Sequence, residues 1–278
     1  QMSFFDIARA EVVKGPQGTL FGRNAIAGAI EVVTNKPSDE FEANLELTVA
    51  EYNHFETTAT INQPLSDKWF LRGSIYSLKN DGYLENVQGG DDLGFHDNQA
   101  GRIALRYAGD QLDVVATYSA ESRDQDPSVY YSSYWPGSED LPTNKTNIDL
   151  KGGEGYDVAD IEMFTVHADF EINDNYSISS ISAYKAYEFD YLEDYDAGPL
   201  YVNNYRQAND VEYLSQDIRL NFAGDNMAWF VGASFYKETI DGIFEARYNE
   251  DDMCQALAIT DADDFDFSLD PSGMVTGC

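Results

Sequence analysis

The chain has 278 residues, with 50 acidic against 17 basic side chains and a formal net charge of −33. That balance repels a phosphate backbone, and no basic patch interleaved with aromatics is present, which excludes direct nucleic-acid binding. With 43% apolar residues, 19 Tyr, 16 Phe and 3 Trp the chain is too rich in core formers for disorder; it contains no run of 18 apolar residues, which removes a transmembrane helix and leaves a transmembrane barrel open.

The opening "QMSFFDIARA" has no initiator Met, basic region or apolar region, and the chain closes on "DPSGMVTGC". The expectation is a piece of a longer protein. Residues 11–33, "EVVKGPQGTLFGRNAIAGAIEVV", then set four glycines and a Gly-Pro step between two short apolar strands. Gly15, Gly18, Gly22 and Gly28 have the wrong spacing for a phosphate-binding loop, and Arg23 is followed by Asn24 rather than Ser or Thr. Gly15-Pro16 reads as a fixed turn ending the first strand, because proline cannot extend a ladder. Gly18, Gly22 and Gly28 read as positions of close backbone packing.

From about residue 43 a period of two dominates. Phe55, Thr57, Ala59 and Ile61 alternate with Glu56, Thr58, Thr60 and Asn62; Ile103, Leu105 and Tyr107 with Arg102 and Arg106. Val166, Ala168 and Phe170 alternate with Thr165, His167 and Asp169, and Ile218, Leu220 and Phe222 with Asp217, Arg219 and Asn221. Trp229, Val231, Ala233 and Phe235 close the series. Short polar turns are expected at Pro64–Asp67, Ala108–Gln111, Asn173–Asn175 and Ala223–Asn226. Long connections are expected at about 81–96, 124–160, 190–207 and 241–278.

Short turns alternating with long loops place all short turns on one side of a sheet. Strands of about 9–13 residues exceed the usual ~5–6 and suit a tilted membrane crossing. The polar alternates Arg72, Arg102, Arg106, Asp113, His167, Asp169, Asp217 and Arg219 would line a wet lumen. Tyr76, Tyr107, Tyr118, Tyr184, Tyr187 and Trp229 are candidates for an interfacial girdle. Acidic residues concentrate in the long loops, ten in 241–278 and eight in 124–160, which suits a solvated rim facing lipopolysaccharide through divalent cations.

No catalytic constellation is present. His54, His96 and His167 lie on separate segments, and "DADDFDFSLD" (261–270) lacks the glycine of a calcium loop. No cofactor, zinc or other metal site is expected, and no enzymatic activity. Cys254 and Cys278 could pair in an oxidising compartment or stay as thiols.

The stretch "IARAEVVKGPQGTLFGRNAIAGAIEVVTNKP" (7–37) closely resembles the end of the plug domain of TonB-dependent outer-membrane receptors. Lys14 stands where that family has Arg before Gly-Pro, and Ala8 where it is often acidic. The resemblance implies an all-β fold: a partial transmembrane antiparallel β-barrel, about nine strands of a larger one, preceded by the end of a plug. Residues 1–38 would be plug and 39–278 barrel. It implies residence in the outer membrane of a Gram-negative bacterium, in contact with lipid and lipopolysaccharide, and partnership with a TonB–ExbB–ExbD energy-coupling complex. The implied cargo is a scarce nutrient, most often a ferric siderophore or other iron complex; oligosaccharide or vitamin B12 transport, a passive porin or adhesin, and a secreted glycan-binding β-protein are the alternatives. Lys14, Arg23 and Glu31 are then candidates to seat the plug against lumen charges such as Arg102, Asp113 and Asp169. Tyr130, Tyr131, Tyr134 and Trp135 of "SVYYSSYWPG" (128–137) are candidate cargo contacts through ring stacking.

Overall fold

The computed structural model describes residues 3–18, 26–133, 135, 137–150, 154–260, 268–269 and 275–277. Two strands come first, β1 (Ile7–Lys14) and β2 (Gly28–Thr34), forming a separate antiparallel ribbon. Gly15 at φ +87 turns the chain out of β1, and its N–H bonds to Ala27 O. Gly28 lies at φ +147, and a Cβ there would sit 2.4 Å from Val13 O. That position admits only glycine.

Nine strands then form one sheet: β3 (Glu42–Val49), β4 (Phe55–Pro64), β5 (Trp69–Asn80), β7 (His96–Ala108), β8 (Leu112–Gln125), β10 (Tyr156–Asn173), β11 (Tyr176–Asp194), β12 (Asn204–Ala223) and β13 (Ala228–Arg247). Each pairs antiparallel with the next in that order. Two-residue strands β6 (Glu85–Asn86) and β9 (Lys145–Thr146) pair in parallel within the loops. A helix, α1 (Glu250–Thr260), follows β13, and β14 (Ser268–Leu269) pairs with β15 (Val275–Gly277). The four tight turns fall within a residue of the expected positions, all at one end of the sheet.

Two departures from the sequence expectation concern length and the last connection. β10 to β13 run for 18, 19, 20 and 20 residues, well beyond the roughly 9–11 that cross a bilayer. The sequence predicts loop for their loop-side ends, 156–160, 190–194, 204–207 and 241–247, because acidic residues crowd there, while the backbone ladder continues. Residues 250–260 are helix where the sequence pattern predicts loop. Asn249 caps them, its side chain accepting from Asp251 N and Asp252 N at 2.9 and 3.2 Å, and three acidic residues occupy the first turn.

Registry divides the side chains between two faces. The inner face receives the N-terminal segment. It carries Asn62, Arg72, Ser74, Arg102, Arg106, Asp113, Glu121, His167, Asp169, Asp217 and Arg219. The outer face carries an exposed apolar field that includes Leu45, Ile61, Ile103, Phe164, Ile218 and Val231. Aromatic belts bound this field. At the turn end, Trp69 meets Tyr107 with ring centroids 5.0 Å apart, and Phe222 lies between Tyr176 at 4.9 Å and Trp229 at 5.4 Å. At the loop end, Tyr118, Phe164 and Tyr184 occupy one cross-strand row.

The eight-residue step from Tyr176 to Tyr184 is roughly 26 Å of strand before tilt, on the scale of the ~25 Å apolar band of an outer-membrane barrel. Two girdle candidates belong elsewhere. Tyr76 faces inward and stacks on Phe5 at 5.8 Å, and Tyr187 faces inward beneath the Lys185 ammonium at 4.7 Å. Beyond the upper belt the outer face turns acidic: Asp160, Glu188, Asp210 and Asp241 stand directly opposite one another on four strands.

Candidate functional site: the seam between the N-terminal segment and the sheet

The ribbon is fastened to the inner face where its two ends come together, and the fastening begins with a single carboxylate. Asp6 precedes β1 in a left-handed conformation, φ +51, which an aspartate tolerates better than most residues. Its Oδ1 accepts from Arg72 Nη2 at 2.6 Å and Asn35 Nδ2 at 2.7 Å. Its Oδ2 accepts from Arg72 Nε and Ser74 Oγ, both at 2.8 Å. The side chains of Asp6 and Arg72 are 4% and 7% exposed. Burial pushes the Asp6 carboxyl up, but the bonds from Arg72, Asn35 and Ser74 outweigh it and hold it below its ordinary value. Arg72 turns its remaining nitrogen, Nη1, to Glu42 at 2.8 Å.

Asn35 also donates its backbone N–H to Asp6 O, so the entry and exit of the ribbon are tied together and to β5. Two more inner-face arginines grip backbone on either side. Arg102 Nη1 donates to Phe5 O at 2.9 Å, its guanidinium 4.5 Å from the Phe5 ring, which is itself buried against Tyr76. Arg106 forks onto Asp113 with two bonds of 2.8 Å and gives Nη1 to Pro37 O at 3.1 Å. Asn62, wholly buried on β4, donates to Ser38 O at 3.0 Å and to Glu40 O and accepts from Ser38 N at 3.1 Å. The seam therefore joins residues 3–6 and 35–40 to four adjacent strands through charge-assisted bonds.

Of the seating residues expected from sequence, Arg102 touches the segment, through the backbone of Phe5 rather than through Lys14 or Glu31. Asp113 orients Arg106, and Asp169 lies 3.3 Å from His167 Nε2 on the wall itself. Lys14 and Glu31 are exposed on the ribbon and, among the described residues, make no ion pair with the wall. Arg23 and Gly22 lie outside the described residues; Pro16 and Gly18 are exposed after the turn. Asp6, Asn35 and Pro37 escape the period-two pattern, whereas Asn62 falls on the expected polar face. Arg72 and Arg106 fall on the expected face, with partners that the pattern does not supply.

At the loop end, the inner face carries a run of rings. Phe189 and Tyr191 on β11 stack, Tyr191 meets Tyr205 on β12, and Tyr205 meets Phe244 on β13 at 4.7 Å, edge to face. Tyr195 meets Tyr205 at 6.5 Å and Tyr130 at 6.2 Å, extending the run into the loops. Tyr130 and Tyr131 are exposed. Trp135 is not a surface ring: it is 6% exposed and bonded through Nε1 to Asp196 O. Tyr134 lies outside the described residues. Cys254 is buried and disulfide-bonded; Cys278, its candidate partner, lies outside the described residues. Among the described residues no group of three or more His, Cys, Asp or Glu is arranged to hold a metal ion.

No family model matches the chain. The pesticin receptor of Yersinia enterocolitica is 25% identical over 252 residues, covering 88% of this chain and 35% of the receptor. The ferripyoverdine receptor of Pseudomonas aeruginosa is 24% identical over 181 residues, covering 62% of this chain and 20% of the receptor. Among solved structures, the siderophore receptor PiuA from Acinetobacter baumannii aligns with a TM-score of 0.75 at 14% identity, over 91% of this chain and 39% of that one. The ferric yersiniabactin uptake receptor FyuA from Yersinia pestis aligns at 0.68 and 22% identity, over 87% and 38%. These likenesses establish the fold: a sector of receptor barrel wall carrying an inward segment. The chain spans about a third of the length of the curated relatives it matches most fully.

Proposed function

We propose that this chain, which has the fold of a TonB-dependent outer-membrane receptor, is the plug end (residues 1–38) and first nine wall strands (39–278) of a receptor that imports a scarce nutrient, most readily a ferric siderophore or other metal complex. The observation that carries this reading is the Asp6–Arg72 seam. A passive pore has no use for an inward segment bolted to its wall by a buried ion pair, whereas a gated importer must close its lumen and reopen it. The apolar field between two aromatic belts supports a place in the outer membrane of a Gram-negative cell, with lipid on one face and lipopolysaccharide level with the acidic row.

In this reading a TonB–ExbB–ExbD complex supplies the pull that shifts the plug. Cargo rests first on the ring run of Phe189, Tyr191, Tyr205 and Phe244 with Tyr130 and Tyr195, where planar groups stack; Tyr131 sits at its margin. The relatives' names, which speak of pesticin, ferripyoverdine and ferric yersiniabactin receptors, support a metal-complex cargo. The full-length gene decides the matter in an iron-limited strain lacking its other receptors. Growth on a panel of ferric siderophores should return with the gene and vanish when the coupling complex is deleted. Uptake that survives that deletion would make it a passive barrel, and growth on oligosaccharide or vitamin B12 alone would change the cargo.

A further inference from the structure

Three loops that leave different strands converge above the wall. Leu93 from connection 81–95, Ile148 from 126–155 and Ala197 from 195–203 form a small buried core, with Leu84 and Val129 packed against it. Beside that core lie three carboxylates. Asp149 follows Ile148, while Asp194 ends β11 and Asp196 precedes Ala197. Asn204, the first residue of β12 and 0% exposed, donates Nδ2 to both Asp149 oxygens at 3.0 and 3.2 Å. Asp194 accepts from Asp149 N at 3.1 Å and Ala197 N at 2.8 Å. The Asp149 and Asp194 carboxyls are thus held in one small space, the backbone of one bonded to the side chain of the other.

Carboxylates buried close together cannot all stay ionised, because each charge raises the other's affinity for a proton. Among the described residues no Arg, Lys or His bonds to Asp149, Asp194 or Asp196; Lys151 lies outside the described residues. Asn204 Oδ1 and both Asp196 oxygens are buried without a well-formed hydrogen bond. The remaining acid nearby, Glu193, turns away to Tyr191 Oη. The cluster thus presents an excess of buried acceptors and lacks donors, and it lies where three loops must stay together.

We infer that Asp149 and Asp194 share one proton and that this proton fastens the loop cap over the barrel mouth. Burial, and then charge from neighbouring carboxylates, push Asp149 and Asp194 upward from the ordinary aspartate value; burial followed by Asp194 push Asp196 up to about 7. A raised value in the closed cap means that the closed form binds more protons than the open one between about pH 4 and 7. Cap stability therefore falls as pH rises through that window and levels off above it. An acidic medium holds the cap shut and a neutral one releases it, whatever the cargo.

Hydrogen exchange on the full-length receptor in nanodiscs, corrected for the intrinsic rate, tests this at pH 5.5 and 8. Peptides spanning 145–150 and 194–204 should lose protection about tenfold or more at the higher pH, because losing one bound proton weakens closure about tenfold for each pH step through the window. The strands between the belts should not change. Asp194→Asn replaces one of the two carboxyls that share the proton with an amide and should shrink the pH response, leaving the part that burial of Asp196 supplies. If that variant does not fold, an infrared band of a protonated carboxyl that titrates in the wild-type protein over the same window, and is weakened in Asp149→Asn, reads the same proton. Equal protection at both pH values overturns the inference, as does a response of undiminished size in Asp194→Asn. Protection that follows added calcium and EDTA instead of pH also overturns it, by putting a cation in the proton's place.

Discussion

Asp6 and Arg72 stand 66 positions apart in sequence and meet through two parallel hydrogen bonds of 2.6 and 2.8 Å inside the lumen wall. All four acceptor positions of the carboxylate are filled, so neither charge is left uncompensated in a site that excludes water. Such a pair is hard to break from one side only. Removing a single partner from a buried pair costs about 3–5 kcal/mol, because the other charge stays behind unpaired.

Asp6→Ala should therefore loosen residues 3–40 by about 3–5 kcal/mol while leaving the wall folded. In the full-length receptor, exchange protection of the ribbon should collapse and passive entry of large antibiotics should rise. Pairing it with Arg72→Met should recover much of the loss. A double variant as leaky as the single would mean that the pair is not coupled.

The same seam has a pH dependence of the opposite sign to that of the loop cap. The Asp6 carboxyl is held below its ordinary value, so its contribution is complete above about pH 4 and is lost as pH falls through the depressed value. Ribbon protection should be flat from pH 7 to about pH 5 and decline in stronger acid. Weakening on going from pH 6 to pH 8 would assign the seam to some other group.

Arg106→Lys keeps the charge but cannot bond to Asp113 and to Pro37 O with the same fork. Since the pair is partly exposed, the expected cost is about 1–2 kcal/mol, confined to residues 35–40. Faster exchange or proteolysis of that linker, with uptake retained, is the expected result. An equal effect on β1 would show that the linker and ribbon move as one body.

Ile218 faces outward between the two aromatic belts. Ile218→Arg should destabilise the barrel in lipid by about 2–4 kcal/mol, whereas the inward Asp217→Asn should cost little. Urea titration of the full-length barrel in liposomes, read by heat-modifiable migration, measures both. If Asp217→Asn proved the more damaging, the assignment of faces would be reversed.

The wall is legible in sequence wherever one face meets lipid and the other water, since that contrast imposes the period of two. Val166–Phe170 and Ile218–Phe222 announce their facing directly. The same strands become unreadable at 156–160 and 190–194, where acidic residues break the lipid–water contrast and the backbone ladder carries the strand onward. Composition alone misplaces Tyr76, although its neighbour Ile75 fixes the parity and turns Tyr76 inward. The seam is the least legible part. Arg72 shows its face but not its partner, Asp6 carries no spacing signal, and the charged residues that look available, Lys14 and Glu31, sit on the ribbon rather than at its root. The cap of α1 could have been found, because Asn249 followed by Glu250, Asp251 and Asp252 is a helix-start pattern in plain view.

Each strand of the wall is paired with the one that precedes it in the wall, and no connection crosses another. The sheet can accordingly grow hairpin by hairpin, each addition using the free edge of the last as its template. The leading edge also lengthens as it goes, from eight residues in β3 to twenty in β13. Backbone groups in hydrocarbon tolerate no idle edge. The direction of chain growth is thus also the direction in which the wall's appetite for a further strand increases.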